Sequence, residues 1–81
     1  PGELFGTEAE IAIAAIWCRL LGVERVSRSD NFFDLGGHSL LAMRVVVEVE
    51  KQFGVRLGVR RLIFETLAQV ADLPAPGSAG A

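Results

Sequence analysis

Apolar side chains recur at helical spacing in two long stretches of the chain and two short ones, with Gly22, Gly54 and Pro74 as the main breaks. Thr7 followed three residues later by Glu10 is a capping-box signature, so the first helix is expected to begin there. On a wheel of about 100° per residue, Ile13, Ile16, Trp17 and Leu20 share one face, and Glu8, Ala15 and Arg19 lie roughly opposite. Gly22 stops this helix. Trp17 sits within the apolar stripe and reads as core rather than as a binding aromatic.

From Gly22 to His38 neither a helical nor an alternating pattern is sustained. A connection longer than about 12 to 15 residues is usually functional or disordered. Here Val23, Val26, Phe32, Phe33 and Leu35 are spaced to pin it onto the helices, and Asp30 or Asn31 can bond its own backbone in a turn, so an ordered, docked loop is expected. The second helix, Ser39 to Phe53, carries two apolar faces. Ala42, Val45, Val46, Val49 and Phe53 form the wide stripe expected to meet the core. Leu40, Met43 and Val47 fall opposite, at i, i+3 and i+7, flanked by Arg44, Glu50 and Lys51. This second strip is expected to point outward and dock partners, a task that suits the adaptable side chain of Met43.

Gly54 ends the second helix, residues 55–58 read as an extended connector, and Val59 to Glu65 is long enough for a turn or two of helix. Arg56, Arg60 and Arg61 read as a solvated basic face. Thr66 is placed to cap a last helix carrying Leu67, Val70, Ala71 and Leu73, which ends before Pro74. The division expected is a lead-in at 1–6, a folded domain at 7–73 and a small-residue linker or tail at 74–81, within a larger parent chain.

The chain of 81 residues is one domain, of a size whose core supplies about 3 to 5 kcal/mol of net stability. That leaves little room for a deep pocket. AVILMFWYC residues make up 51% of the sequence, yet no apolar run approaches the ~20 residues that span a bilayer, so a soluble domain without a membrane partner is expected. No basic leader precedes an apolar block, and the single Cys18 cannot form an internal disulfide. A cytoplasmic setting and a monomeric excised domain are expected. With 8 basic and 10 acidic residues the net charge of -2 argues against a nucleic-acid partner.

The candidate chemistry lies between Asp30 and Met43. Gly36 and Gly37, followed by His38, form a turn from which Ser39 opens the second helix. An anion on that hydroxyl would lie at the positive end of the helix dipole, an interaction of about 0.3 to 1 kcal/mol when exposed. Ser39 therefore reads as a residue built to be phosphorylated or to carry a phosphodiester. A hydrolase is disfavoured. The only histidine, His38, adjoins Ser39 and points about 100° away at a helix start, and the G-x-S-x-G elbow fails because Leu40 and Leu41 follow the serine. One histidine and one cysteine do not make a zinc site, and no glycine-rich phosphate loop with its lysine is present. Asp30 and Asp34 read as turn-capping carboxylates rather than as an acid/base or magnesium pair. No catalytic residue and no metal ligand is expected. What remains is a serine that another enzyme modifies.

The run Asp30-Asn31-Phe32-Phe33-Asp34-Leu35-Gly36-Gly37-His38-Ser39-Leu40 resembles the modification-site motif of peptidyl carrier (thiolation) domains of nonribosomal peptide synthetases. Ile16-Trp17 with 20–23, and 53–55 through Leu62-Ile63-Phe64-Glu65, extend the resemblance over nearly the whole chain up to Leu73. It implies an all-α fold, a small four-helix carrier bundle with a long ordered loop between its first two helices and a short third helix. It also implies that Ser39 receives 4'-phosphopantetheine from coenzyme A through a separate, magnesium-using phosphopantetheinyl transferase. The arm's thiol then holds aminoacyl or peptidyl groups as thioesters for adenylation, condensation and thioesterase domains. Leu40, Met43, Arg44 and Val47 beside the arm become the partner-docking residues, and weak, exchangeable contacts suit such a shuttle.

Two positions depart from related patterns. Fatty-acid acyl carriers typically have Asp-Ser-Leu where this chain has His38-Ser39-Leu40, which favours the peptide-synthetase branch. The family often has proline where this chain has Gly58, which implies a looser approach to the third helix. The alternatives are an acyl carrier domain of a polyketide or hybrid synthase, and a helical interaction module whose Gly-Gly turn merely starts a helix.

Overall fold

A computed structural model describes residues 7–73; the lead-in and the tail expected from the sequence lie outside them. Four helices follow in order, α1 (Glu8–Leu21), α2 (Ser39–Phe53), α3 (Val59–Phe64) and α4 (Leu67–Val70). No membrane-length apolar helix occurs among the described residues. The start of α1 follows from Thr7, whose extended backbone turns Oγ1 to accept from the Glu10 N–H at 3.1 Å. Its end follows from Gly22, which adopts φ 72° and donates its N–H to the Cys18 carbonyl.

The core is drawn from every element. Ile13, Ile16 and Trp17 of α1 meet Val45 and Val49 of α2, Leu62 of α3, Leu67 and Val70 of α4, and Phe32 of the long loop, all without exposed surface. Trp17 is core, as its place in the stripe predicts. Its indole N–H has no hydrogen-bond partner among the described residues, a desolvation cost of about 1–3 kcal/mol that the packing must offset. Val46 and Phe53 are only partly buried, so the core stripe of α2 is narrower than its wheel suggests. Helices of six and four residues are too short to cover both edges of that stripe.

The long loop is ordered and docked. Val26 and Phe32 are buried in it, and Val23, Phe33 and Leu35 pack against the core. A polar clamp adds to this. Arg28 donates from Nε and Nη2 to the two carboxylate oxygens of Glu10, at 3.0 and 2.9 Å, tying the loop to the first turn of α1. Glu10 is buried although its sequence position gave no warning of it, and the bidentate arginine is what makes that burial tolerable.

Two expectations change in the C-terminal third. The last helix stops at Val70, with Ala71 at its cap and Leu73 beyond it. Leu73 precedes Pro74, and a residue before proline is sterically disfavoured in the helical region. Thr66 caps this helix as expected, in a reciprocal capping box with Gln69. Arg61 is not part of a solvated basic face. It pairs with Glu65 at 2.9 Å and donates to the carbonyls of Gln69 and Asp72, stitching α3 to α4. Arg56 and Arg60 remain exposed.

Candidate functional site

The approach to Ser39 is built on an aromatic floor. The Phe32 ring lies edge-on to Trp17 at 5.2 Å between centroids and to Phe33 at 6.0 Å. Above it residues 31–37 coil tightly. The Leu35 N–H donates to the Asn31 carbonyl, Gly36 N–H to Phe33, and Gly37 N–H to Phe32 at 3.1 Å. Side chains close the turn too, because Asn31 Oδ1 accepts from the Asp34 N–H at 3.0 Å and Asp30 Oδ2 accepts from the Ser27 N–H at 2.8 Å. Asp30 is therefore a turn-capping carboxylate, while Asp34 lends only its backbone and stays exposed.

The two glycines are needed for different reasons. Gly36 sits at φ 104°, where a side chain is strained although the space around it is open. Gly37 needs no positive φ. A Cβ there would lie 2.5 Å from Cδ2 and Cε2 of Phe32 and 2.8 Å from its carbonyl oxygen, so the backbone passes flush against the buried ring.

The chain then turns into α2, and the cap falls one residue earlier than the serine's preference for that position suggests. His38, not Ser39, occupies the N-cap, with φ -147° and ψ 177° and no side-chain cap bond. Ser39 is the first helical residue. The extended run out of the glycine turn reaches as far as His38, whose carbonyl accepts the first helical bond from the Ala42 N–H at 2.8 Å. The difference matters chemically. A serine at the cap turns its oxygen inward onto the helix N–H groups, whereas Ser39 is exposed and its hydroxyl has no hydrogen-bond partner among the described residues.

Ser39 thus has no base bonded to it, and His38 makes no side-chain bond to it either. Among the described residues no group of three or more His, Cys, Asp or Glu side chains could hold a metal ion. The surroundings favour an anion on the hydroxyl. The N–H groups of Ser39, Leu40 and Leu41 precede the first helical bond, and the first turn of α2 carries no acidic residue, in contrast to α1 with Glu8 and Glu10.

Beside the serine lies an exposed apolar strip. Leu40, Met43 and Val47 are 69%, 51% and 47% exposed, far too open for core positions. With Arg44 they line one wall of an open groove of ≈ 530 Å³ between α1 and α2, and Arg19 and Leu20 line the other. An ion pair from Arg19 to Glu48, 3.1 Å, joins the two helices there. The structure therefore brings Ser39 and the strip together on α2, as the wheel predicts. Two features escaped the sequence reading. Phe64 is 73% exposed beside Ile63 at the end of α3, and a helix of only six residues has too little period to tell which apolar side is inside. Asn31 also reaches α3, donating from Nδ2 to the carbonyls of Ile63 and Glu65 at 2.9 and 3.0 Å.

A glycine-built turn thus lifts an unbonded serine hydroxyl to the first position of a helix. The phosphopantetheine attachment site family matches residues 12–73, which includes the turn, Ser39 and all of α2 to α4. The chain belongs to this family.

Within the family it is a peptidyl carrier domain. It is 41% identical over 76 residues, 91% of the chain, to gramicidin S synthase 2 of Brevibacillus brevis. It is 52% identical over 64 residues, 79% of the chain, to phosphinothricin tripeptide synthetase PhsB of Streptomyces viridochromogenes. The chain spans only 2% and 5% of the length of these two relatives. Among solved structures it matches one chain of the complex of the phosphopantetheine transferase Sfp with coenzyme A and a peptidyl carrier protein, with TM-score 0.79 and 36% identity over 85% of this chain and 91% of that one. A solution structure described as a prototype for the peptidyl carrier domains of modular peptide synthetases matches with TM-score 0.73 and 38% identity, over 84% and 91%. The all-α carrier fold and the phosphopantetheine cofactor expected from the motif are thereby established for this carrier domain.

Proposed function

We propose that Ser39 is the residue that carries 4'-phosphopantetheine, and that the domain is a substrate of a separate transferase rather than a catalyst. The observation that supports this most is the Ser39 hydroxyl itself, exposed and unbonded at the first position of α2 within the family's matched region. In the transfer the Ser39 oxygen attacks the β-phosphorus of coenzyme A, its proton leaves to a base of the transferase, and 3',5'-ADP departs. The N–H groups of Ser39, Leu40 and Leu41, which precede the first helical bond, would favour the negative charge of the phosphodiester when the arm is attached. When attached, the arm supplies a thiol that holds an aminoacyl or peptidyl group as a thioester.

Leu40, Met43, Val47 and Arg44 form the docking surface in this reading, with Gly36, Gly37 and His38 as the turn that presents the serine. The strip suits a short-lived contact, apolar enough to seat a partner and small enough to release it. Partners of this kind are the transferase, an adenylation domain, a condensation domain and a thioesterase, met one at a time by a cytoplasmic, monomeric domain within a longer synthetase. Incubation with coenzyme A, magnesium and a promiscuous transferase, followed by intact mass measurement, should add one arm to the wild type and none to Ser39→Ala. Transfer to Ser39→Ala would refute the site. Loading of the arm with an amino acid by an adenylation domain tests the peptidyl cargo.

A further inference from the structure

Asn31 links the serine-presenting turn to the end of α3. Its carboxamide faces two ways. Oδ1 accepts from the Asp34 N–H inside the turn at 3.0 Å, while Nδ2 donates across to the carbonyls of Ile63 and Glu65 at 2.9 and 3.0 Å, with that of Leu62 at 3.3 Å. These belong to the last carbonyls of a helix, which have no partner within it. An amide has two donor hydrogens and one acceptor oxygen on the same short stem, and both ends are in use here.

The backbone reinforces the same junction. Leu67 N–H donates to the Asp30 carbonyl at 2.8 Å and Ala68 N–H to Arg28 at 3.0 Å, so residues 28–31 are stitched to the α3–α4 corner. Directly after Asn31 come Phe32, whose ring supports Gly37, and the coiled turn that ends at His38. The root of that turn is thus fixed on one side by the core and on the other by Asn31.

We propose that Asn31 is a positioning residue for modification of Ser39, its bonds to the α3 carbonyls holding the turn in the geometry that presents the serine oxygen. This rests on Ser39 being the attachment site. Misplacement of a reacting atom by about 1 Å costs rate far more than it costs binding. The docking strip on α2 is untouched by Asn31, so loss of the tie should lower kcat for arm transfer and leave KM unchanged.

The test compares Asn31→Ala and Asn31→Asp with wild type in transfer from coenzyme A by a promiscuous transferase, at a temperature where circular dichroism shows all of them folded. Asn31→Asp keeps the acceptor for the Asp34 N–H, loses the donor toward α3 and sets a carboxylate oxygen against the same carbonyls, whereas Asn31→Ala removes both ends. Both variants should lose about tenfold in kcat with KM within about twofold of wild type, and the Gly36 and Gly37 amides should exchange faster. Val49→Ala, a core truncation in α2, serves as the stability control and should keep its kcat. Wild-type kcat in Asn31→Asp would overturn the proposal, as would an equal loss in Val49→Ala. Ser39→Ala separates the two levels. If it accepts the arm the site assignment has failed, whereas an inert Ser39→Ala beside full-rate Asn31 variants sinks the positioning role alone.

Discussion

Substituting Gly37 by alanine is the sharpest single probe of how the serine is presented. The new Cβ would meet two atoms of the Phe32 ring at 2.5 Å and the Phe32 carbonyl at 2.8 Å. Carbon atoms prefer separations of about 3.5–4.0 Å, so ring and backbone would have to part by about 1 Å. Neither is free to do so, because Phe32 is fully buried against Trp17 and its carbonyl holds the Gly37 N–H. Overpacking of this kind costs about 1–3 kcal/mol, and losing the turn's hydrogen bond adds about 1 kcal/mol. A loss of about 2 kcal/mol already lowers the melting temperature of so small a domain by about 8–16 °C.

Two other glycines calibrate the measurement. Gly36→Ala meets open space but keeps a positive φ, for about 1–2 kcal/mol of strain. Gly58→Ala meets neither obstacle, with φ -76° and nothing nearby, and should stay within about 0.5 kcal/mol of wild type. Thermal unfolding followed by far-UV circular dichroism should rank them Gly58, Gly36, Gly37 in rising cost. In a Phe32→Leu background, Gly37→Ala should cost less, since Cε2 is gone and a leucine Cδ can rotate away where the planar ring cannot. A Gly37→Ala variant that melts with Gly58→Ala would show that the ring yields freely and that Gly37 is not required by close contact with Phe32.

Leu40→Asp or Met43→Asp, at positions more than half exposed, should change stability by no more than about 0.5 kcal/mol while slowing arm transfer and aminoacyl loading. A large fall in melting temperature would place these side chains in the core instead. Arg28→Ala removes the bidentate arginine from the buried Glu10 carboxylate, whose side chain is 6% exposed against 40% for the arginine. The half-open arginine lets water share the load, so about 1–3 kcal/mol is expected, and Glu10→Gln in the same chain should recover part of it in chemical denaturation. Burial raises the Cys18 thiol above its ordinary value. Folding therefore favours the neutral thiol, a contribution present at neutral pH and lost as pH rises through the raised value. Alkylation by iodoacetamide should be slow at neutral pH in the folded domain and should begin at lower pH once the chain is unfolded; identical pH profiles for the two states would contradict this.

Much of the fold was legible because its signals are local. Thr7, the stripe from Ile13 to Leu20, Gly22, Gly54 and Thr66 each act within a turn or two, and the structure uses all of them where the pattern places them, although the Glu10 carboxylate of the expected first capping box goes to Arg28. The motif around Ser39 was legible for the same reason, and so was the outward strip of α2, whose 15 residues are long enough to show two faces. Shorter elements gave less. Six residues of α3 could not say that Phe64 faces solvent, and the apolar spacing of Ala71 and Leu73 did not show that α4 ends at Val70.

Composition and periodicity alone decided that this is a small helical domain with a serine set at a helix start, since both depend on neighbours along the chain. Tertiary packing decided the rest: that the serine stands one position inside the cap with its hydroxyl free, that Gly37 is there for the Phe32 ring, that Glu10 is buried under Arg28, and that Asn31 and Arg61 bind α3 to what precedes and follows it. Those contacts join residues 18 to 34 positions apart for Glu10 with Arg28 and for Asn31 with Glu65. A hydrogen bond across such a gap depends on how the helices close on one another, and no local pattern of residues encodes that closure.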